Sequence, residues 1–327
     1  MRCFLPTREG VSLVNLDSVS AIFVSSLHGR VYRKNRTMES GMGGFLSTRE
    51  GISGGYIMHN NYWSNKEKLA DLAEKHTDQM SEKYPREIDR CVKNTVLYQF
   101  PLEQETAQKK NETRKMKLAN LDSVSAIFSM SHGKTAVLNF ASYKNPGGMF
   151  LQGSQAQEES LCHASFLYNV LKKFDGEGRY YYYNRQHLNH AMYLDRALYT
   201  PDVLFFQDDR KILCDVITCA APNLSAASRF RQVTPADNYR ALNSRCRFIL
   251  QLADIQQVDT LILGAYGCGV FGQDPKMVAG CFIRELQFYG RGIKRVIFAV
   301  PSGVHNRNYL AFKEVFADIA KKQKQET

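Results

Sequence analysis

Twice in this chain a run of β-branched and apolar residues ends in a cluster of glycines, and a helical pattern follows within a few residues. The first run is Thr135-Ala-Val-Leu-Asn-Phe-Ala141, leading into Asn145-Pro-Gly-Gly148. The second is residues 260–264, leading into Gly264-Ala-Tyr-Gly267-Cys-Gly269-Val-Phe-Gly272. Strand, tight loop and helix in that order are the parts of a crossover between parallel strands, so the spacing predicts an α/β layered domain. Further strands are expected at 203–206, 214–220 and 295–300, and helices at 65–84, 86–93, 122–128, 155–173, 238–255, 275–289 and 306–321. Residues 99–117 read as a polar loop, and the block Tyr180–Tyr183 fits no assignment. Cys214 and Cys219 share a strand at an odd separation and so face opposite sides.

The first glycine loop runs into Gln155-Ala-Gln-Glu-Glu159 as a helix begins. Glycines let backbone N–H groups approach a phosphate closely, because no Cβ stands in the way. Carboxylates at the start of the next helix stand where a sugar attached to that phosphate would be presented. The combination points to glycosidic chemistry on a nucleotide sugar. The second loop satisfies G-x-G-x-x-G through Gly267, Gly269 and Gly272, which alone would suit a dinucleotide fold. Such a fold also needs an acid at the end of the next strand to hold the ribose hydroxyls. Here that strand ends in Pro301-Ser-Gly303, so a dehydrogenase is disfavoured. Phosphate contact is favoured over a purely structural turn for this loop, because both glycine loops follow strands and precede helices. Phe271 either caps the core or covers an adenine or ribose face.

The chain has 327 residues, a net charge of +11 and eight cysteines. The charge suits a polyanionic substrate, although basic runs such as residues 109–117 and 321–324 are also what solvated arms look like, and direct DNA binding is not expected. The cysteines form no CxxC pair and no His/Cys ligand spacing, so no metal site is expected. No apolar run approaches a membrane span, and the first residues start no signal-peptide pattern, which suggests an intracellular, cytoplasmic protein. Nuclear location is open if the source is eukaryotic.

The two loops and their flanks resemble the bacterial-type poly(ADP-ribose) glycohydrolases, a macrodomain family with a triple-glycine loop followed by Gln-Glu-Glu. The matching segments are Leu138-Asn-Phe-Ala-Ser142, Asn145-Pro-Gly-Gly148, Gln155-Ala-Gln-Glu-Glu-Ser-Leu161, Tyr199-Thr-Pro-Asp202, Ala220-Ala-Pro-Asn223 and residues 264–275. The resemblance runs from about residue 65 to the C-terminus. It implies a three-layer α/β/α macrodomain with a mixed sheet and an N-terminal helical extension. It further implies hydrolysis of ribose–ribose bonds in poly(ADP-ribose), with the polymer or ADP-ribosylated proteins as partners, no cofactor and a monomeric chain. Carried over, Glu159 is the catalytic acid and Glu158 positions the ribose. The ligand contacts are Asn145, Gly147, Gly148, Met149 and Gln157 from the first loop. From the second they are Gly264, Gly267, Cys268, Gly269, Val270 and Phe271, with Phe271 against the terminal ADP-ribose.

Met149 stands where the family has its third glycine. A Cβ there would obstruct the diphosphate, or strain the loop by about 1–3 kcal/mol if the backbone needs a positive φ. A non-catalytic ADP-ribose reader and a mono-ADP-ribosyl hydrolase are therefore the alternatives. Neighbouring helix residues point about 100° apart, so the two glutamates are not expected to flank one bond. One acid then acts alone, with a pKa raised by burial and by its neighbour.

Residues 1–60 stand apart. Phe4-Leu-Pro-Thr-Arg-Glu-Gly10 returns as Phe45-Leu-Ser-Thr-Arg-Glu-Gly51, and Asn15-Leu-Asp-Ser-Val-Ser-Ala-Ile-Phe23 returns unchanged at 120–128. The offsets differ, so this is no solenoid repeat. The expected division is a duplicated or poorly ordered extension at 1–60, a helical accessory segment at 61–118 and the catalytic domain at 119–327.

Overall fold

A computed structural model describes residues 12–15, 53–102, 114–229, 233–303 and 306–325. In chain order the elements are β1 (Ser12–Asn15), α1 (Ser53–Lys83), α2 (Pro85–Asn94), β2 (Val96–Gln99), β3 (Lys115–Ala119), α3 (Ser123–Met130) and β4 (Thr135–Phe140). Next come α4 (Gln157–His163), α5 (Leu167–Leu171), α6 (Tyr180–Gln186), β5 (Arg196–Gln207), β6 (Arg210–Cys219) and α7 (Leu224–Ala227). The chain ends with α8 (Pro235–Ile255), β7 (Thr260–Gly264), α9 (Pro275–Glu285), β8 (Arg295–Ala299) and α10 (Arg307–Gln325).

Among the described residues the strands form one sheet in the order β1-β3-β8-β7-β4-β6-β5-β2. β3, β8, β7, β4 and β6 run parallel, and β1, β5 and β2 each pair antiparallel with their neighbour. Because side chains alternate along a strand, each central strand feeds two cores. Leu138, Leu261, Leu263 and Phe298 face one core with Leu242 and Phe248 of α8, Phe282 of α9 and Phe312 of α10. Val137, Ile262 and Ile297 face the other with Ala73 of α1, Ile127 of α3, Leu161 of α4 and Leu167 of α5. The result is the expected three-layer α/β/α mixed-sheet architecture. Cys214 and Cys219 belong to different cores, as their odd spacing requires.

Helix starts follow capping chemistry. Asp122 accepts from Ser125 N–H at 2.9 Å, Thr234 precedes Pro235 and accepts from Asp237 N–H, and Asp274 precedes Pro275 and accepts from Met277 N–H at 2.9 Å.

Four expectations need correction. The loop expected at 99–117 contains the start of β3, where Lys115 and Lys117 alternate with buried Met116 and Leu118. The helix expected at 155–173 is two helices, because Ser165 turns its hydroxyl back to Leu161 O and bridges to Phe205. The strand expected at 203–206 starts at Arg196, running through a bulge at Pro201-Asp202. The tyrosine block opens α6, with Tyr180 and Tyr181 buried.

The divisions drawn at 60/61 and 118/119 fall inside α1 and β3, because α1 begins at Ser53 and β2 and β3 belong to the common sheet. Most of the extension, including nearly all of the first repeat copies, lies outside the described residues.

Candidate active site

β4 and β7 are parallel neighbours, so the loops after them emerge at the same edge of the sheet. Open α/β sheets bind ligands at such strand ends. The two loops touch at their bases: a Cβ on Gly264 would lie 3.0 Å from the Phe140 ring and 2.5 Å from Ala299 O, so only glycine fits there.

In the first loop Gly147 and Gly148 both take φ of +65°. A Cβ on Gly148 would stand 2.6 Å from Glu159 Oε1 and 2.9 Å from Glu158 Oε2. Both carboxylates therefore converge on one point beside Gly148, despite the angular separation of adjacent helix residues. They approach from different sides. Glu158 Oε2 accepts from Ser142 N–H at 2.7 Å and Oε1 from Asn139 Nδ2 at 3.2 Å, at the end of β4. Glu159 Oε1 accepts from Met149 N–H at 2.8 Å, while Oε2 reaches back to Ala156 N–H at 3.0 Å and closes the first turn of α4. Both residues are buried, Glu158 at 3% and Glu159 at 4% exposure. Burial pushes the Glu158 carboxyl up to about 8; the Ser142 amide and the Asn139 side chain pull the other way, and the Glu159 charge adds to the rise. Burial thus favours the protonated form of Glu158.

Met149 has φ of −112° and is 45% exposed. The left-handed positions are those of the two glycines before it, so the feared backbone strain does not arise and the thioether is not packed into the protein. Gln157 is held within the fold. Its Oε1 accepts from Phe140 N–H at 2.8 Å, and its Nε2 donates to Leu138 O at 2.9 Å and Ser123 Oγ at 3.0 Å. Both polar atoms of the side chain are thereby engaged in pinning α4 to β4 and α3. Asn145 is exposed, and its carbonyl accepts from Gly148 N–H at 3.1 Å.

The amides of Gly148 and Met149 thus already have partners. The second loop differs. Tyr266, Cys268, Gly272 and Gln273 donate within the loop, but the amides of Gly269, Val270 and Phe271 have no protein acceptor among the described residues. Gln273 supports this loop from below, donating to Pro222 O and Asn238 Oδ1, each at 2.8 Å. Gly267 and Gly272 sit at φ of +73° and +72°. Val270 is 87% exposed at the tip, Cys268 is half-buried with a thiol pushed up to about 12 by burial, and Phe271 O accepts from Ser225 N–H. The N-terminus of α9 is closed by Asp274, whose carboxylate accepts from Met277 N–H at 2.9 Å.

Phe271 packs edge-on to Tyr193, with centroids 6.2 Å apart, and Tyr193 stacks on Tyr143 at 4.1 Å. Asn139, Tyr143 and Tyr193 were not singled out in the sequence. Asn139 alone left a signal, as a lone amide in an otherwise apolar central strand. It is fully buried, and its Oδ1 has no partner among the described residues. Among the described residues no group of His, Cys, Asp and Glu is arranged to hold a metal, and no helix is long and apolar enough to cross a membrane.

Residues 65–208 match the family model "Microbial-type PARG, catalytic domain". The poly(ADP-ribose) glycohydrolase of Deinococcus radiodurans, solved with ADP-ribose, is 30% identical with a TM-score of 0.62, over 72% of this chain and 98% of its own. The chain belongs to the microbial-type poly(ADP-ribose) glycohydrolases. The Thermomonospora curvata glycohydrolase is 27% identical with a TM-score of 0.68, covering 76% of this chain and 99% of its own. The same enzyme bound to the inhibitor ADP-HPD aligns at a TM-score of 0.64. Among curated proteins none matches the chain. The glycohydrolase alignment leaves about a quarter of this chain unmatched.

Proposed function

We propose that this glycohydrolase cleaves the ribose–ribose O-glycosidic bonds of poly(ADP-ribose) with Glu159 as general acid and base, and that Glu158 holds the ribose hydroxyls. The observation that carries the reading is the convergence of two buried carboxylates on Gly148, beside a second loop whose tip amides have no acceptor among the described residues. Glu159 protonates the leaving ribose oxygen as the C–O bond breaks, leaving an oxocarbenium-like sugar. It then takes a proton from the water that attacks the anomeric carbon. The diphosphate lies along the amides of Gly269, Val270 and Phe271, where its charge is met without displacing a protein hydrogen bond. Its proximity stabilises the cationic transition state and fixes the sugar's orientation. Phe271 lies against the ribose or adenine. The exposed Met149 leaves the reader alternative without its main support.

The test is release of free ADP-ribose from the polymer by the purified chain, with Glu159→Gln beside it and ADP-ribose binding measured for both. Wild type should release ADP-ribose. The variant should lose about 10²–10⁴-fold in rate, the usual worth of a general acid, while still binding ADP-ribose. Binding without release by wild type would leave a reader or a hydrolase of another ADP-ribosyl bond. An active Glu159→Gln would reject this mechanism.

A further inference from the structure

We propose a second anion site, for phosphate or diphosphate groups, in the cavity that Lys115, Lys117 and Arg295 line at the far end of the sheet from the glutamates. The cavity has a volume of about 270 Å³. Lys115 and Arg295 are the first residues of β3 and β8, and Arg295 is level with Thr260 of β7. The glycine loop begins four residues further along β7, at Gly264, so the two sites are separated by about 13 Å of strand at ~3.3 Å per residue. A ligand in one does not occupy the other.

Three features point to an anion. Lys115 and Arg295 are directly opposed partners in the parallel ladder, and like charges so placed destabilise a sheet unless something neutralises them. Lys117, two residues on, projects from the same face and adds a third positive charge. Among the described residues none of the three has an ion-pair partner, whereas Lys294, the residue before Arg295, is paired with Asp259 at 2.6 Å.

The C-terminus of α3 borders the cavity and adds an attraction for cations of its own, and serine hydroxyls engage part of its carbonyl set. Ser129 Oγ donates to Ser125 O and Ser131 Oγ to Ile127 O, each at 2.6 Å. Met130 and Ile297 supply an apolar wall, and the volume suits one phosphate-bearing unit. Two sources carry this chemistry: the diphosphates of a long poly(ADP-ribose) chain, or a free nucleotide. Only the first rests on the function proposed above.

The experiment titrates inorganic pyrophosphate by calorimetry into the full chain saturated with ADP-ribose, so that the glutamate cleft is filled. Wild type should bind one further pyrophosphate. Lys117→Gln/Arg295→Gln should bind it at least tenfold more weakly, and Lys117→Arg should bind it like wild type. Unchanged ADP-ribose affinity certifies that the variants are folded. A second arm compares KM for long and short chains. A KM for long chains that rises in the double variant, with kcat and short-chain turnover unchanged, assigns the polymer as the source. Lost pyrophosphate binding with no change in KM assigns a free nucleotide. No additional pyrophosphate on wild type, or equal binding by the double variant, overturns the site. Failure of the proposed function would instead appear as absent ADP-ribose release, which leaves the pyrophosphate result untouched.

Discussion

At Gly148 a backbone turn and two carboxylates compete for one small volume. The φ of +65° disfavours any L side chain, and a Cβ would enter within 3 Å of both glutamates. Gly148→Ala should therefore lower stability by about 1–3 kcal/mol, read as a fall in Tm. It should also reduce ADP-ribose release far more than that loss explains, because the methyl displaces the carboxylates. A variant with wild-type turnover would mean that the pair does not need this geometry. The adjacent position should behave oppositely. Met149 has an ordinary φ and an exposed side chain, so Met149→Gly should change kcat/KM by less than about threefold. The expected stability change is a few tenths of a kcal/mol up to ~1, from the added freedom of the unfolded chain. A large gain in activity would show that the thioether obstructs the diphosphate after all.

The elements that support this loop are less local than the sequence suggests. Gly153, at φ of +73°, closes the turn after Gln152, and a Cβ there would collide with Lys66 O of α1. α1 is further tied down by Asn169 Nδ2, which donates to Thr77 O at 2.8 Å and Ser81 Oγ at 2.7 Å, and by His76 Nε2 against Ser165 O at 2.8 Å. Gly153→Ala should thus act on the first helix as well as on the loop. The expected result is a loss of about 1–3 kcal/mol and faster amide exchange along α1; protection unchanged in α1 would refute the coupling. The same contrast explains what was legible beforehand. β4, β7 and β8 are short apolar runs between clear breakers, and each glycine loop sits directly after its strand. β3 was hidden because Lys115 and Lys117 point to a cavity and give it the composition of a loop. β5 was hidden because Pro201-Asp202 interrupts it with a bulge. In the site, the glutamate pair and glycines could be read from the sequence. The pinning role of Gln157 and the support from Asn139 could not, since both depend on which strand end lies opposite α4.

For the whole molecule, the buried Glu158 makes stability depend on pH in a direction unusual for a carboxylate. Its pKa rises from the ordinary 4.5 to about 8 on folding, chiefly through burial. The unfolded chain therefore ionises first. Stability from this group is fully present below about 4.5 and is lost progressively as pH rises to about 8, beyond which the loss is constant. Other groups titrate too: burial raises Asp215 and Asp254, while hydrogen bonds from Lys294 and the Lys134 amide lower Asp259. Comparing wild type with Glu158→Gln cancels these common contributions. The substitution has its own fixed penalty, since an amide nitrogen cannot accept from Ser142 N–H, but that penalty does not vary with pH. The Tm of wild type should therefore fall relative to Glu158→Gln between pH 5 and pH 8.5, measured in the absence of ligand. A gap that stays constant across that interval would mean that Glu158 keeps an ordinary pKa.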